Sequence, residues 1–381
     1  MPPSPDELTS ARATRYATIR RRLMLVELAG WMAFLWACQM SGRSSAVAAW
    51  TVGVTSNDWL RLPLYLAVFG ACSYILFLPL HVYSSFLLEH RFGLSRLSVR
   101  GWIVREIKQV GLSGAFSLLI FEVLYALLRR CPITWPAFAT IGWIGVSVVI
   151  ARIFPTVLLP IFYKSAPLAD DALAQRLMEL CRRAKLSVLG IFRVGLGVET
   201  RKANAALAGF GGTRRVLLSD TLLERFSADE IETVLDHELG HQVHHHIGKL
   251  LILSAAGSWL LFSLIHWSSG WWVPRLGLQG LADIAGFPML MLALSVIGVI
   301  SLPLQNGISR YFEWQADRFA VTVSGRAGAF ASALRKLGEL NLADPNPPRW
   351  VEWMFYDHPP IGKRVRAAES AALARPPATM R

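Results

Sequence analysis

Six stretches of the chain are apolar for long enough to cross a membrane, and this constrains the fold more than any other feature. They run at about 23–41, 62–82, 110–128, 137–160, 250–267 and 287–305. A hydrocarbon core of about 30 Å takes roughly 20 helical residues. In lipid each backbone N–H and C=O must bond within its own segment, so segments like these are helices. The remaining composition agrees, with 53% hydrophobic residues, 17% charged residues and 14 tryptophans. Glu27 interrupts the first run, and Pro155 and Pro160 blur the end of the fourth. The first run also invites reading as a secretory signal. Its apolar stretch is longer than a signal core and no small-x-small cleavage site follows it, which favours a retained helix.

A formal net charge of +13 raises the question of nucleic acid. In a membrane chain the positive-inside bias accounts for it more simply. Arg12, Arg15, Arg20, Arg21 and Arg22 precede the first run, and Arg91, Arg96, Arg100, Arg105 and Lys108 fill the loop after the second. Arg129 and Arg130 run against the trend. Six spans then place both termini and residues 161–249 in the cytoplasm, with no nucleic-acid partner. Cys38, Cys72, Cys131 and Cys181 are scattered without metal-ligand spacing, and no disulfide framework is expected.

The expected organisation is an N-terminal cytoplasmic tail (1–22), a four-span region (23–160), a polar stretch (161–249), a two-span region (250–305) and a second polar stretch (306–381). Pro2, Pro3 and Pro5, and residues 375–381, suggest disordered ends. Residues 170–185 read as an amphipathic helix, with Leu173, Leu177, Leu180 and Cys181 on one face. Residues 187–194 and 214–219 read as strands, and residues 202–213 between them as a strand-like piece ending in a glycine turn. Ser227 followed by Glu230 is a capping box that should start a helix just before Ile231. The two polar stretches together look like one small α+β domain split by a helical pair.

That last helix carries the chemistry. Of nine histidines, five fall between 237 and 246, within which stands His-Glu-Leu-Gly-His. Helix positions four apart share a face, so His237 and His241 can aim imidazole nitrogens at one ion. Glu238, beside the first of them, can reach a metal-activated water and act as general base and acid. The bare pattern also arises by chance, and a His-rich helix end can be plain surface. A catalytic zinc needs a third protein ligand and an open position. Glu313, in SRYFEWQAD, is the leading candidate, and Asp317, four residues on, can hydrogen-bond a ligand histidine. On spacing alone Glu313 reads equally as a helix-surface glutamate, and Asp317 as a partner of Arg310 or Arg318.

LDHELGHQVHHH, SRYFEWQAD and DHPPIGKRV resemble the type I CAAX prenyl endopeptidases. These are gluzincin-type membrane metalloproteases, more distantly similar to HtpX-like quality-control proteases. YSSFLLEHRFGLS (83–95), LPIFYKSAPL (159–168) and NAALAGFGGTRRVLLSDTLLE (204–224) extend the resemblance over most of residues 80–370. It implies a mainly α, polytopic membrane protein with a split, zincin-like α+β catalytic domain. His237, His241 and Glu313 would hold one Zn2+ per chain, with Glu238 as base and acid. It implies further that Asn204 and His358 hold the substrate backbone or the developing oxyanion, and that Arg310 and Asp317 support the ligands. By their residue types alone, Asn204 is also a turn asparagine and His358 a capping histidine before prolines. His246 matches a further family histidine for which the sequence offers no physical role.

The residues after Ala203 would offer a strand edge to an extended peptide substrate, with or without a lipid. Compared with the eukaryotic enzymes, one span near the N-terminus, the long charged insertion before the zinc helix and an ER-retention signal are missing. The composition fits a bacterial inner membrane, where protein prenylation is generally absent. Two substrate classes follow: CAAX-type C-termini, or misfolded and exported membrane proteins. A transporter would concentrate ionisable groups within its spans, and here Glu27 and Glu122 are the only carboxylates that lie there. An inactive scaffold would lack a ligand or base, and none is missing.

Overall fold

The computed structural model describes residues 5–374; of the ends expected to be disordered, Pro2, Pro3 and residues 375–381 lie outside the described residues, while Pro5 opens a helix. Six helical stretches among these residues are long and apolar enough to cross a membrane. The first is α1 (Pro5–Met40), followed by the short α2 (Arg43–Val54). The second runs through α3 (Asp58–Val82), a π-helical turn at Tyr83–Leu87 and α4 (Leu88–Arg91). The third is α5 (Val99–Arg130). The fourth joins α6 (Trp135–Ile153) through a π-helical turn at Phe154–Leu158 to α7 (Leu159–Phe162). Pro155 lies in that turn: its missing N–H and its ring disfavour regular α geometry.

Residues 5–22 form no loose tail. They extend the first membrane helix by about five turns and dock on polar neighbours. Arg12 Nη2 donates to the Phe92 carbonyl at 2.5 Å, Thr14 Oγ1 to Asp344 at 3.1 Å, and the Tyr16 hydroxyl to Glu89. Ala13 and Tyr16 close a small apolar cluster with Leu88, Phe92, Leu94 and Leu342. The periodicity of the first span masks this extension, because its partners are far away in sequence.

The first polar stretch builds a four-stranded sheet from β1 (Ser165–Pro167), β2 (Ile191–Val194), β3 (Ala205–Ala208) and β4 (Arg215–Ser219), in the order β1-β2-β4-β3. β2 and β4 run parallel, while β1 and β3 pair antiparallel at the two edges. β1 was not foreseen, and only the second half of the expected 187–194 strand pairs. Gly190, at φ 152°, turns the chain in just before β2. The expected amphipathic helix is α8 (Asp171–Arg183), with Leu173, Leu177 and Cys181 buried. After the short α9 (Asp220–Leu223) comes α10 (Ala228–Val243), opened by the expected box. Ser227 Oγ accepts from Glu230 N at 3.3 Å, and Ser227 N donates to Glu230 Oε2 at 2.8 Å.

The last two membrane stretches are α11 (His246–Arg275) and α12 (Phe287–Ser324); α12 continues beyond its apolar run to carry Glu313 and Asp317. α13 (Ala327–Asn341), α14 (Arg349–Phe355) and α15 (Ile361–Ala374) complete the chain. One core joins both polar stretches: Leu177, Ile191, Leu218, Leu222, Ile231 and Leu235 meet Ala333 of α13. A second core, with Leu62, Tyr65, Tyr125, Trp135, Ile265 and Phe287, packs the other ends of the membrane helices together. Within the apolar windows only 6–17% of residues are buried. Side chains such as Trp267 and Ile300 are 80% and 72% exposed, as faces turned to lipid require.

Candidate active site

α10 and α12 bring the candidate ligands together. His237 Nε2 and His241 Nε2 lie 3.3 Å apart, His237 Nε2 lies 3.4 Å from Glu313 Oε2, and His241 Nε2 lies 3.3 Å from Glu313 Oε1. Zinc with N and O ligands at about 2.0–2.1 Å places tetrahedral ligand atoms roughly 3.3 Å apart, so the three groups already span one face of such a site. Glu313 Oε2 is buried and makes no hydrogen bond among the described residues, with the Arg364 Nη2 cation no nearer than 3.7 Å, so an ion seated between the three groups would satisfy it. Charge agrees with geometry. Burial works against a charged His237, yet the Asp317 and Glu313 carboxylates outweigh it and raise its pKa to about 9. The surroundings thus favour positive charge at this position, and two imidazoles with a carboxylate are a donor set that suits zinc.

Behind the ligands, Asp317 Oδ1 accepts from His237 Nδ1 at 2.9 Å. Arg364, 9% exposed, holds Asp317 with both arms of its guanidinium, Nε to Oδ2 at 2.8 Å and Nη2 to Oδ1 at 2.6 Å. The Asp317 contact matches its expected place. Arg364 was missed, although it stands in the quoted DHPPIGKRV segment; only folding brings α15 under α12. Arg310 departs from expectation. It turns away from the ligands, and its Nη1 donates to the carbonyls of Glu352 at 2.8 Å and Tyr356 at 2.5 Å. One helical turn before Glu313, it fastens the end of α14 and so the segment that carries His358. His241 Nδ1, in turn, lies 3.0 Å from His246 Nδ1.

His358 stands at the mouth of the site. Its Nε2 lies 3.3 Å from Glu313 Oε1 and its Nδ1 2.9 Å from Asp357 Oδ1. The bond to Asp357 raises its pKa, against the opposing effect of burial. Glu238 faces β3, where its Oε2 accepts from Leu207 N at 3.4 Å. That N–H therefore points out of the sheet towards the site, not across to β4, so β3 presents a free edge beside Glu238. Asn204 begins this edge: its backbone is pinned by Ser219, whose Oγ accepts from Asn204 N at 2.9 Å. Asn341 of α13, also unforeseen, brackets Ala203 with both ends of its amide, at 3.0 and 3.1 Å. The Asn204 side chain is exposed to a cavity of about 1080 Å3 that reaches between the membrane helices. Its walls include Arg20, Glu89, Arg105, Glu106, Glu199 and Lys202.

Comparison with known proteins places this geometry. Residues 167–372 match the model of peptidase family M48, and residues 5–164 match the family described as CAAX prenyl protease N-terminal, five membrane helices. A CAAX prenyl protease 1 homolog from Arabidopsis thaliana is 30% identical, covering 82% of this chain and 74% of the plant protein. An uncharacterized metalloprotease, YhfN, from Bacillus subtilis is 25% identical over 96% of this chain and 86% of its own. The crystal structure of S. mikatae Ste24p superposes with a TM-score of 0.83 over 95% of this chain and 89% of that one, at 24% identity, and so shares the fold. Within residues 5–164, four helices among the described residues are long and apolar enough to cross a membrane. The twelve-residue α2 spans only about 18 Å at 1.5 Å per residue.

Proposed function

The chain belongs to peptidase family M48 and to its CAAX prenyl protease family of membrane metalloendopeptidases, and on that premise we propose that it is a zinc-dependent enzyme cutting extended peptides at the cytoplasmic membrane surface. The observation that carries this reading is the 3.3–3.4 Å triangle of ligand atoms with Glu238 and the free β3 edge beside it. His237, His241 and Glu313 would hold one zinc ion, and residues 161–249 and 306–374 would be the two parts of one catalytic domain. Bound there, zinc supplies an acidified water and polarises the scissile carbonyl.

The protein's own groups do the rest. Asp317 keeps the proton of His237 on Nδ1, leaving the Nε2 lone pair for the metal. Glu238 takes a proton from the attacking water on its carboxylate and returns it to the leaving amine. The outward N–H of Leu207, which donates to Glu238 Oε2, would exchange that acceptor for a backbone carbonyl of a peptide added to β3 as a further strand. Asn204 from one side and His358 from the other donate to the carbonyl oxygen as it gains charge. The bond to Asp357 fixes His358 with Nε2 towards the site.

Two substrate classes fit this chemistry, CAAX-type C-termini and a wider set of membrane or exported proteins. We favour the second on the charged part of the cavity wall, Glu89, Arg105, Glu106 and Lys202, which would leave a prenyl chain only the apolar part beside Met24, Trp102 and Phe355. The positive-inside bias supports a cytoplasmic active site in a bacterial inner membrane. The deciding experiment is cleavage of matched peptides, one farnesylated at a CAAX cysteine and one not, by wild type and Glu238→Gln. The wild type should cut both with similar kcat/KM. Glu238→Gln should keep its zinc and lose roughly 10²–10⁴-fold in rate. A strong preference for the lipidated peptide would return the enzyme to CAAX processing, and substantial activity in the variant would remove Glu238 from its role.

A further inference from the structure

His246 is a buried imidazole, 1% exposed, that the chemistry above leaves unused. His245 in the left-handed region, at φ 55°, breaks the chain between α10 and α11 and lets the next residue fold back towards His241. The ring of His246 then stacks on Phe312 of α12, with centroids 4.3 Å apart and planes within 11°. Its Nδ1 lies 3.0 Å from His241 Nδ1, and its Nε2 lies 2.9 Å from Gln315 Oε1. Gln315 Nε2 donates in turn to the Tyr311 hydroxyl at 3.0 Å.

These three bonds have one self-consistent polarity once His241 binds a metal through Nε2. A neutral imidazole has a single N–H, so His241 must carry its proton on Nδ1 and donate it. His246 Nδ1 therefore accepts, which puts the proton of His246 on Nε2. That N–H needs an acceptor, and the Gln315 carbonyl supplies one. Reversing the Gln315 amide would push its NH2 against His246 Nε2 and move the His246 proton to Nδ1. His241 Nδ1 would then have to accept, leaving a proton on the nitrogen that should face the metal. The two ligand histidines are thus held by different means, His237 by a carboxylate and His241 by a neutral chain.

We propose that His246, backed by Gln315, is the positioning residue for His241: it fixes the Nδ1–H tautomer and so sets how tightly the site holds zinc. The proposal rests on His241 being a zinc ligand. Removing a hydrogen-bond partner behind a metal ligand typically weakens metal binding about 10–100-fold.

The test is zinc affinity, measured by chelator competition on the purified full chain. His246→Phe keeps a ring against Phe312 but accepts no hydrogen bond, and it should bind zinc about 10–100-fold more weakly. Gln315→Met should do the same, whereas Gln315→Glu, which still accepts, should bind like wild type. His237→Ala serves as the reference and should lose zinc outright. If His237→Ala loses zinc while His246→Phe and Gln315→Met keep wild-type affinity, the positioning role is overturned and the ligand set stands. If Gln315→Met and Gln315→Glu weaken zinc equally, the contact is only packing and the proposal also fails. Wild-type affinity in His237→Ala would remove the ligand reading and this one with it. Should His246→Phe not fold, the Gln315 pair decides the matter alone.

Discussion

At the residue scale the least expected group is Asp236, next to the first candidate ligand. It is 1% exposed, and its Oδ1 has no hydrogen-bond partner among the described residues. Burial, and then the negative charge of Glu232, raise its pKa from 3.8 to about 7. The sign follows from linkage: between these values the unfolded chain has lost this proton and the folded one retains it. Stability therefore falls as pH rises from about 4 to 7, and above that the fold carries a buried carboxylate. Asp236→Asn should be more stable than wild type at pH 8 and nearly equal to it at pH 4. The gain should be a few kcal/mol at most, each pKa unit being worth about 1.36 kcal/mol. Thermal unfolding at the two pH values checks this, and a pH-independent difference would count against it. Arg364 is the complementary case. Its two-armed grip on Asp317 cannot be copied by an ammonium. Arg364→Lys should weaken zinc binding about tenfold or more in a chelator titration; unchanged affinity would mean that charge alone suffices.

At the element scale the site depends on how closely α10 approaches α12. In the sequence Gly240 is only a spacer within His-Glu-Leu-Gly-His. In the fold, a Cβ there would meet Ala316 Cα at 3.0 Å and Phe319 Cβ at 3.2 Å. The absent side chain lets the histidine helix sit against the helix that carries Glu313. Gly240→Ala should force the pair apart by a few tenths of an ångström, at an overpacking cost of about 1–3 kcal/mol. Drawing the separated ligands back onto one ion would cost up to that amount, a loss of zinc affinity of roughly 10–100-fold, since about 1.4 kcal/mol is a factor of ten. Equal affinity in the variant would show that the close approach does not set the ligand spacing. α10 itself was legible, because a capping box is local chemistry. β1 was not, because a three-residue edge strand ending in Pro167 exists only through its pairing with β2.

At the scale of the whole molecule, six membrane helices carry a small α+β unit at one end, and a cavity of about 1080 Å3 opens between that unit and the first three of them. The basic segments before the first span and after the second lie on the side of the candidate site. Lys202 bridges to Glu89 at 2.9 Å and Arg105 to Glu199 at 2.7 Å, tying the membrane helices to that unit. A tag on either terminus should accordingly be protected from protease added to intact cells and become cleavable on permeabilisation. Cleavage in intact cells would invert the orientation.

Local rules were enough for the six spans, the start of the histidine helix and the shared face of His237 and His241, whereas Glu313 read on spacing alone as a surface glutamate until the packing of α12 on α10 brought it to them. Apolar length selects helices in lipid, a capping box opens a helix, and i,i+4 spacing puts two imidazoles on one face. What stands behind those ligands comes from packing instead. Arg364, Asn341 and His246 make their contacts through packing between segments remote in sequence, and Arg310 was turned from the ligands to the α14 turn by the same packing. The docked helix at residues 5–22 has the same origin: its partners, Phe92 and Asp344, lie about 80 and 330 residues away along the chain, beyond the reach of any periodicity.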